Sequence, residues 1–421
     1  MDNLFLQAGR ANALTDAQIE EVLAKAVASC PGAKKVLLLP PDITRSGSYA
    51  GPIARMLCRL LPDAKIDIMP ALGTHAPMTD YEIEKMYGLP KEWFLVHRWR
   101  DDVVKIGEVP AEYISEISEG LMNVSIPVEV NRAILDPSYN LIISIGQVVP
   151  HEVAGMANYN KNIFVGCGGS SMINYSHYLG ALFGMERVMG RDHSPVHKTF
   201  DYATRCFISH LPIMYVLTVT GVDEHGVHVK SISAGSQRDL FSRQIEVSQQ
   251  HNLNFLDTPL HNVVAYLDPE KFHTTWLGNK AIYRTRMAMA DGGQLTVIAP
   301  GVQGFGEDPT NDTLIRKYGY FGRDKVLSLT EANADLRENL SVAAHLIHGS
   351  SDGRFNITYA AGGLTQEEVT NAGFQYMPID QALAKYDVNN LKDGANMVNG
   401  EEFFFIKNPA AGLWACRDRF C

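Results

Sequence analysis

Cysteine is scarce in this chain of 421 residues: Cys30, Cys58, Cys167, Cys206, Cys416 and Cys421 are all it has, and no two form a C-x-x-C pair. That spacing excludes a zinc ribbon and a dense disulfide framework, and it favours a reducing compartment. Positive charge is also in deficit, with 37 Lys and Arg against 47 Asp and Glu and a formal net charge of −10. A surface of that sign repels phosphate backbones and anionic lipid, so nucleic acid is not an expected partner. Residues 1–6 carry an early acid and no basic, apolar leader, and the longest weakly charged apolar stretch, 208–222, is broken by His210, Pro212 and Gly221. Neither a secretory signal nor a membrane span is expected, and a cytoplasmic location is.

What is present is ordinary globular composition, 46% hydrophobic and 20% charged, in a length that suits two or three domains. The first half alternates short apolar runs with helical patterns. Strands are expected at 35–39, 65–72 and 141–145 and helices at 49–61 and 78–87, the second helix opened by Thr79 with Glu82 three residues on. This rhythm predicts right-handed βαβ units, and the continuous run at 141–145 reads as a central parallel strand covered on both faces. After a glycine-rich turn beyond Ile163, a hairpin is expected from 214–220 and 227–232 around Asp223 to Gly226. Alternation resumes with strands at 263–267, 294–299, 356–360 and 402–406 and helices at 274–290, 336–348 and 365–372. The expected fold class is α/β: two α/β domains, 1–262 and 263–421, with mostly parallel sheets and an active-site cleft between them.

Reactive side chains collect directly after apolar strands. Asp42 and Arg45 follow the first, His75 the second and His151 the third. In an open parallel sheet the carboxyl ends of strands share one edge, where ligands bind, so three distant segments can converge. Each residue alone would pass for an ordinary loop residue. Glycines and hydroxyls from Gly166 to Ser171, including Ser170, precede a helical pattern and can offer backbone N–H groups to an anion, although the Walker lysine spacing is missing. His177 is an imidazole donor candidate, whereas His193 and His197, spaced as a zinc pair, are separated by Pro195 and are rejected as one.

The set Asp42-Ile43-Thr44-Arg45, Gly73-Thr74-His75, Pro150-His151 through Gly155, Lys161 with Gly166 five residues later, and His177 sixteen after the lysine resembles the nickel-pincer lactate racemase family of 2-hydroxyacid racemases and epimerases. The resemblance covers most of the first 200 residues. It implies a nickel-pincer nucleotide, a pyridinium dithiocarboxylic acid mononucleotide carrying nickel, made by cofactor-synthesis enzymes. By motif position Lys161 resembles the residue that links the cofactor, His177 a nickel ligand, and His75 and His151 the two acid/base histidines. Arg45 resembles a substrate-binding arginine, Asp42 a cofactor-side or orienting carboxylate, Gly166 and Ser170 cofactor-binding positions, and Lys280 a second-domain lysine facing the substrate. Departures are Leu277 where a glutamine often stands, Ser46-Gly47-Ser48 after the arginine, Ala76 after the histidine, and Tyr159-Asn160 in place of a glycine pair.

The implied activity is inversion of C2 of a small-molecule 2-hydroxyacid by hydride transfer to the pincer, an isomerase reaction that spares the enzyme from forming a carbanion beside a carboxylate. One base on each side of a planar 2-keto acid suits two near-neutral histidines, and an arginine fork suits the carboxylate. Polar Ser46, Ser48 and Asn158 make a polyhydroxylated, aldonate-type acid a candidate substrate. The alternatives are a non-catalytic hydroxyacid- or cofactor-binding protein and a nicotinamide-dependent 2-hydroxyacid dehydrogenase, the latter suggested by the glycines at 301–306. The oligomeric state stays open.

Overall fold

In the computed structural model, residues 1–9, 12–223 and 226–420 are described. The chain divides into two units, Met1–Leu179 with Val188–Asn252, and Gly180–Arg187 with the residues from Leu253 onward. The strand Leu253–Leu256 thus groups with the second unit although it precedes the expected division at residue 263.

The first unit runs β1 (Leu4–Gln7), α1 (Asp16–Ala28), β2 (Lys35–Leu39), α2 (Ala50–Leu60), β3 (Lys65–Ile68), α3 (Asp80–Met86), β4 (Val103–Val109), α4 (Ala111–Ile117), β5 (Ile126–Asn131), β6 (Leu141–Gln147), β7 (Pro150–His151) and β8 (Gly155–Met156). It continues through α5 (Ser170–Phe183), α6 (Met185–Val188), α7 (Pro195–Ala203), β9 (Ile213–Asp223), β10 (Gly226–Gly235) and α8 (Arg238–Asn252), residues 180–187 of this stretch belonging to the second unit. Its six-stranded sheet has the order β1-β10-β9-β6-β2-β3. The β9–β6, β6–β2 and β2–β3 pairs are parallel, and β10 pairs antiparallel with both β9 and β1. The expected central strand is therefore β6, and its first six residues are all buried. The expected hairpin is β9–β10; Glu224 and His225 of its turn lie outside the described residues.

Local chemistry accounts for the elements that position the site. Thr79 accepts from the Glu82 amide while the Glu82 side chain accepts from Thr79 N, the capping box read in the sequence, and α3 starts there. α2 runs so close to α3 that a Cβ on Gly51 would lie 1.9 Å from the Met86 carbonyl oxygen. Ile19, Leu23, Ile53 and Leu57 from α1 and α2 join Val36, Leu38, Ile143 and Val216 of the sheet in one core.

The second unit contains β11 (Leu253–Leu256), β12 (Leu260–Tyr266), α9 (Thr275–Gly278), α10 (Lys280–Tyr283), β13 (Met289–Ala299), α11 (Pro309–Tyr318), α12 (Arg323–Ala332), α13 (Ala334–Arg337) and α14 (Leu340–His348). There follow β14 (Asn356–Ala361), α15 (Gln366–Asn371), β15 (Gln375–Tyr376), α16 (Ile379–Lys385), β16 (Gly394–Val398), β17 (Glu401–Ile406), β18 (Leu413–Cys416) and α17 (Arg417–Phe420). Its six-stranded sheet, β15-β14-β13-β12-β17-β16, is parallel except at the β16 edge. Both units are thus α/β with mostly parallel sheets.

Three expected elements differ. The helix at 274–290 is two single turns, α9 and α10, and by Met289 the chain has entered β13, where it pairs with Leu260. The helix at 336–348 is broken at Asn339, whose φ/ψ of −126°/59° leaves the helical region while its amide donates back to the Asp335 carbonyl at 2.8 Å. Residues 402–406 do not form the last strand, because β18 follows and pairs with β11. Cys30, Cys58, Cys167, Cys206 and Cys416 are free thiols; Cys421 lies outside the described residues.

Ile143 is fully buried in β6. Ile143→Ala is expected to lower the unfolding free energy by about 2–5 kcal/mol, measured by urea titration, since the gap opens in a sheet covered on both faces.

Candidate active site

The chain leaving β2 turns at Asp42, whose carboxylate accepts from Thr44 N at 3.1 Å and from Thr44 Oγ1 at 2.5 Å and so caps a 3₁₀ turn, Ile43–Ser48. Its other oxygen lies 2.5 Å from His75 Nδ1. His75 comes from the loop after β3, where Gly73 takes a φ of +59° and donates its N–H to the Gly166 carbonyl at 2.8 Å. Asp42 is 4% exposed and the His75 side chain 50%, so a buried carboxylate orients a ring that reaches solvent. Burial works to raise the Asp42 carboxyl, yet the hydrogen bond and charge of His75 and the bonds from Thr44 outweigh it and hold the group below its usual value. With Nδ1–H given to Asp42, His75 Nε2 keeps its lone pair and has no partner among the described residues.

His151 ends β7, tied by the two-residue pairing of β7 with β8. Gly155 of β8 has a φ of +92°, and a Cβ there would lie 2.6 Å from the Arg191 carbonyl oxygen, so this tight return needs glycine. His151 Nδ1 accepts from Val153 N at 3.1 Å and Ala154 N at 3.4 Å. The neutral ring therefore carries its proton on Nε2. Burial, with Lys161, Arg45 and His177 nearby, pushes this imidazole well below its ordinary value, and Glu152 opposes them.

Lys161 follows two consecutive left-handed residues, Asn158 (φ 73°) and Tyr159 (φ 57°). The left-handed pair lies one residue earlier than the Tyr159-Asn160 pair read from the sequence. For a residue as bulky as tyrosine that conformation costs about 1–3 kcal/mol, so tertiary contacts must hold it. After the lysine comes a π-helical segment, Asn162–Gly166, a backbone form frequent at functional sites, and the expected glycine turn follows it, with residues 167–169 linking it to α5. Asn162 fastens it, donating to the Leu39 carbonyl at 2.9 Å and to Ser144 Oγ at 3.0 Å. The lysine itself makes no hydrogen bond or ion pair among the described residues. Enclosure and the positive charge of Arg45 bring its amine from 10.5 down to about 8, against the pull of Glu152 and Asp42. Arg45, too, leaves its guanidinium without a partner.

His177 lies on α5. Its Nδ1 donates to the Ile173 carbonyl at 2.6 Å, one helical turn back, leaving Nε2 unprotonated. Burial first, then Lys161, lowers its value to about 4. A ring with Nδ1–H fixed on a carbonyl and Nε2 free is the state in which histidine binds a metal. No cluster of three or more His, Cys, Asp or Glu that could hold a metal ion exists among the described residues. His177 can therefore give one nitrogen to a metal whose other donors come with a bound molecule, and an unbonded, part-neutral amine at Lys161 suits covalent attachment of such a molecule. The donor set fits a pincer-type nucleotide.

The remaining expected positions fall differently. Gly166 allows close packing, since a Cβ there would lie 2.7 Å from the Ala71 Cβ. Ser170 opens α5, but the neighbouring Ser171 amide is engaged by the Glu129 carboxylate at 3.2 Å, so the anion expected at this helix start is partly supplied by the chain. Ser48 is fully buried with its hydroxyl accepting from Ala50 N, and the Asn158 side chain accepts from Tyr159 N; only Ser46 of the three polar residues is exposed. His197 Nε2 bonds the Met156 carbonyl at 2.8 Å inside α7, a structural role. Lys280 opens α10 in the second unit. The glycines at 301–306 open no dinucleotide helix: α11 starts only at Pro309, with its first free amides taken by Asp308. Glu152, Glu129 and Asn162 were not singled out from the sequence, although Glu152 and Asn162 adjoin His151 and Lys161.

Because His151, His177 and His197 all stand below 6.5 in the folded chain, the unfolded chain binds protons they refuse once pH falls below 6.5. Asp42, held below 3.8, adds stability that is present above 3.8 and lost below it. Unfolding free energies from urea titration are therefore expected to fall as pH drops from 6.5 to 4, by about 1.4 kcal/mol per pH unit for each imidazole fully excluded from protonation; a flat profile would contradict the burial of these rings.

Residues 7–189 match the family described as the lactate racemase N-terminal domain. Over 184 residues the chain is 27% identical to the lactate racemase of Lactiplantibacillus plantarum, a match covering 41% of this chain and 40% of that protein. A crystal structure of a Thermotoga maritima protein superposes with a TM-score of 0.83 at 24% identity, covering 98% of this chain and 100% of that one. The lactate racemase apoprotein of Thermoanaerobacterium thermosaccharolyticum superposes with a TM-score of 0.71 at 16% identity, covering 96% and 93%. At those identities the two structures speak for the fold alone, and it is residues 7–189, under half of the chain, that are similar to the lactate racemase N-terminal domain.

Proposed function

We propose that this protein is a 2-hydroxyacid racemase or epimerase that works with a nickel-pincer nucleotide. One observation carries the reading: His75, His151 and His177 each have one ring nitrogen fixed by a hydrogen bond and the other without a partner, beside a lysine and an arginine that are likewise unpaired. Lys161 holds the nucleotide through its amine, and His177 gives Nε2 to the nickel. When bound, that group supplies an acceptor for the C2 hydrogen and its electron pair.

The chain's own residues handle the rest. Arg45 grips the substrate carboxylate with a guanidinium fork that no internal acid occupies. His75 takes the hydroxyl proton on Nε2, and the imidazolium so formed is stabilised by the Asp42 carboxylate it already touches. His151, kept neutral by burial, gives an Nε2–H hydrogen bond to the oxygen in the opposite orientation, and the proton that completes the product hydroxyl is the one taken up by half-exposed His75, returned by way of solvent, so that the two sides of a planar C2 meet different imidazoles and neither becomes an imidazolate. Lys280 is carried as a further substrate-binding residue on the resemblance alone. A 2-hydroxyacid is the substrate class; the aldonate-type extension now rests on Ser46.

Protein produced together with the cofactor-synthesis enzymes is expected to contain nickel at one equivalent, to carry a mass adduct on the Lys161 peptide, and to invert C2 of a 2-hydroxyacid followed by chiral chromatography. His75→Ala and His151→Ala should each lower kcat by about 10²–10⁴ with nickel content retained. Loaded protein that inverts neither short hydroxyacids nor sugar acids would overturn the reading.

A further inference from the structure

The backbone before Lys161 is unusual for reasons particular to this chain. Asn158 and Tyr159 are the only consecutive non-glycine residues with positive φ among the described residues. Each is held by its side chain. Asn158 accepts from Tyr159 N at 2.8 Å and packs against Gly146, where a Cβ would lie 1.6 Å from the Asn158 amide nitrogen. Tyr159 is 4% exposed; its ring stacks on Phe241 at 5.0 Å and lies 4.4 Å from Tyr215.

The next residue, Asn160, is fully buried and donates to Asp201 Oδ1 at 2.6 Å and Thr204 Oγ1 at 3.4 Å. Asp201 Oδ2 in turn accepts from Arg238 Nε at 3.1 Å, and Arg238 bonds Asp192 at 3.3 Å and stands over the Phe241 ring. A continuous line of bonds therefore runs from the start of α8 through α7 to the Asn160 side chain, one residue before Lys161. On the other side Asn162 is bonded to Leu39 and Ser144. Side-chain bonds anchor the residues on both sides of the lysine, with Asn160 Oδ1 left unbonded, and the amine itself makes none.

We propose that Tyr159, Asn160, Asp201 and Arg238 are positioning residues that hold the Lys161 amine in its enclosed place before any ligand arrives. The bonds replace conformational freedom with side-chain anchors, which is what lets non-glycine residues occupy a strained turn. Preorganisation of this kind removes an ordering cost from the later attachment step. The inference rests on Lys161 being the attachment residue, and its test needs neither cofactor nor substrate.

The probe is trinitrobenzenesulfonate, used at graded pH on the full-length protein without cofactor, with labelling of the Lys161 peptide quantified by mass spectrometry. Arg45, Asp42, Glu152, His151 and His177 are the charged and titratable groups acting on or acted on by this amine, and none is altered. In the unaltered protein the labelling midpoint should lie near 8. Asp201→Ala should move it toward the ordinary lysine value of 10.5 and slow labelling at pH 8 about fivefold, while exposed Lys34 keeps its rate. Asp201→Asn, which retains an acceptor for Asn160, should restore most of the rate. Should Asp201→Ala fail to fold, Asn160→Ala removes the same bonds singly and is expected to shift the midpoint in the same sense. A folded Asp201→Ala or Asn160→Ala protein whose Lys161 midpoint and rate match the unaltered protein overturns the proposal. Unaltered protein that labels near 8 yet never inverts a hydroxyacid when loaded would remove the functional reading and leave the positioning role intact.

Discussion

A positively charged amine enclosed without an anion is the constraint around which the first unit is organised. Burying an unpaired charge is costly, and proteins relieve the cost by pairing the group or by letting it lose its proton. Lys161 takes the second route: with no carboxylate bonded to it and Arg45 adding to the repulsion, its amine is drawn down to about 8. Such an amine is in part a free nucleophile near neutral pH, and the arrangement is sustained by the parallel sheet beneath it, in which β6 is buried on both faces.

The three imidazoles obey one structural logic with different outcomes. Each has a single ring nitrogen committed to the protein: His75 to the Asp42 carboxylate, His151 to two backbone amides, His177 to a backbone carbonyl. The partner's polarity decides what the remaining nitrogen can do. A carboxylate or carbonyl acceptor takes the Nδ1 proton and leaves Nε2 as a lone pair, fit for a proton or a metal; amide donors leave the proton on Nε2, fit for donation. Three similar residues thereby suit the different duties proposed for them, without any difference in side-chain chemistry.

The strained turn before Lys161 shows how a departure from glycine is tolerated. Tyrosine at positive φ is unfavourable by itself, but ring stacking on Phe241 and the bonds of Asn160 Nδ2 to Asp201 and of Asp201 to Arg238 hold the left-handed path in place. The strain lies where a residue has to be held still.

The periodicity of apolar residues was enough to establish two α/β units, the central position of β6, the capping box at Thr79, and the fact that Asp42, His75 and His151 all follow strands that share one edge. These features depend on neighbours close in sequence, and short-range patterns report them. The motif also led to Lys161 and His177. It could not reveal that the 274–290 stretch breaks into single turns, because pairing of Met289 with Leu260 outweighs a helical pattern. Nor could it reveal that Glu129 reaches the start of α5 from 42 residues away, or that Asp201 and Arg238 stand behind Asn160. The order of residues thus offered the candidate groups, while which nitrogen of each histidine stays free and whether the lysine has a counter-ion were decided only by tertiary contacts, since hydrogen-bond partners and burial are set by segments that the chain brings together from afar.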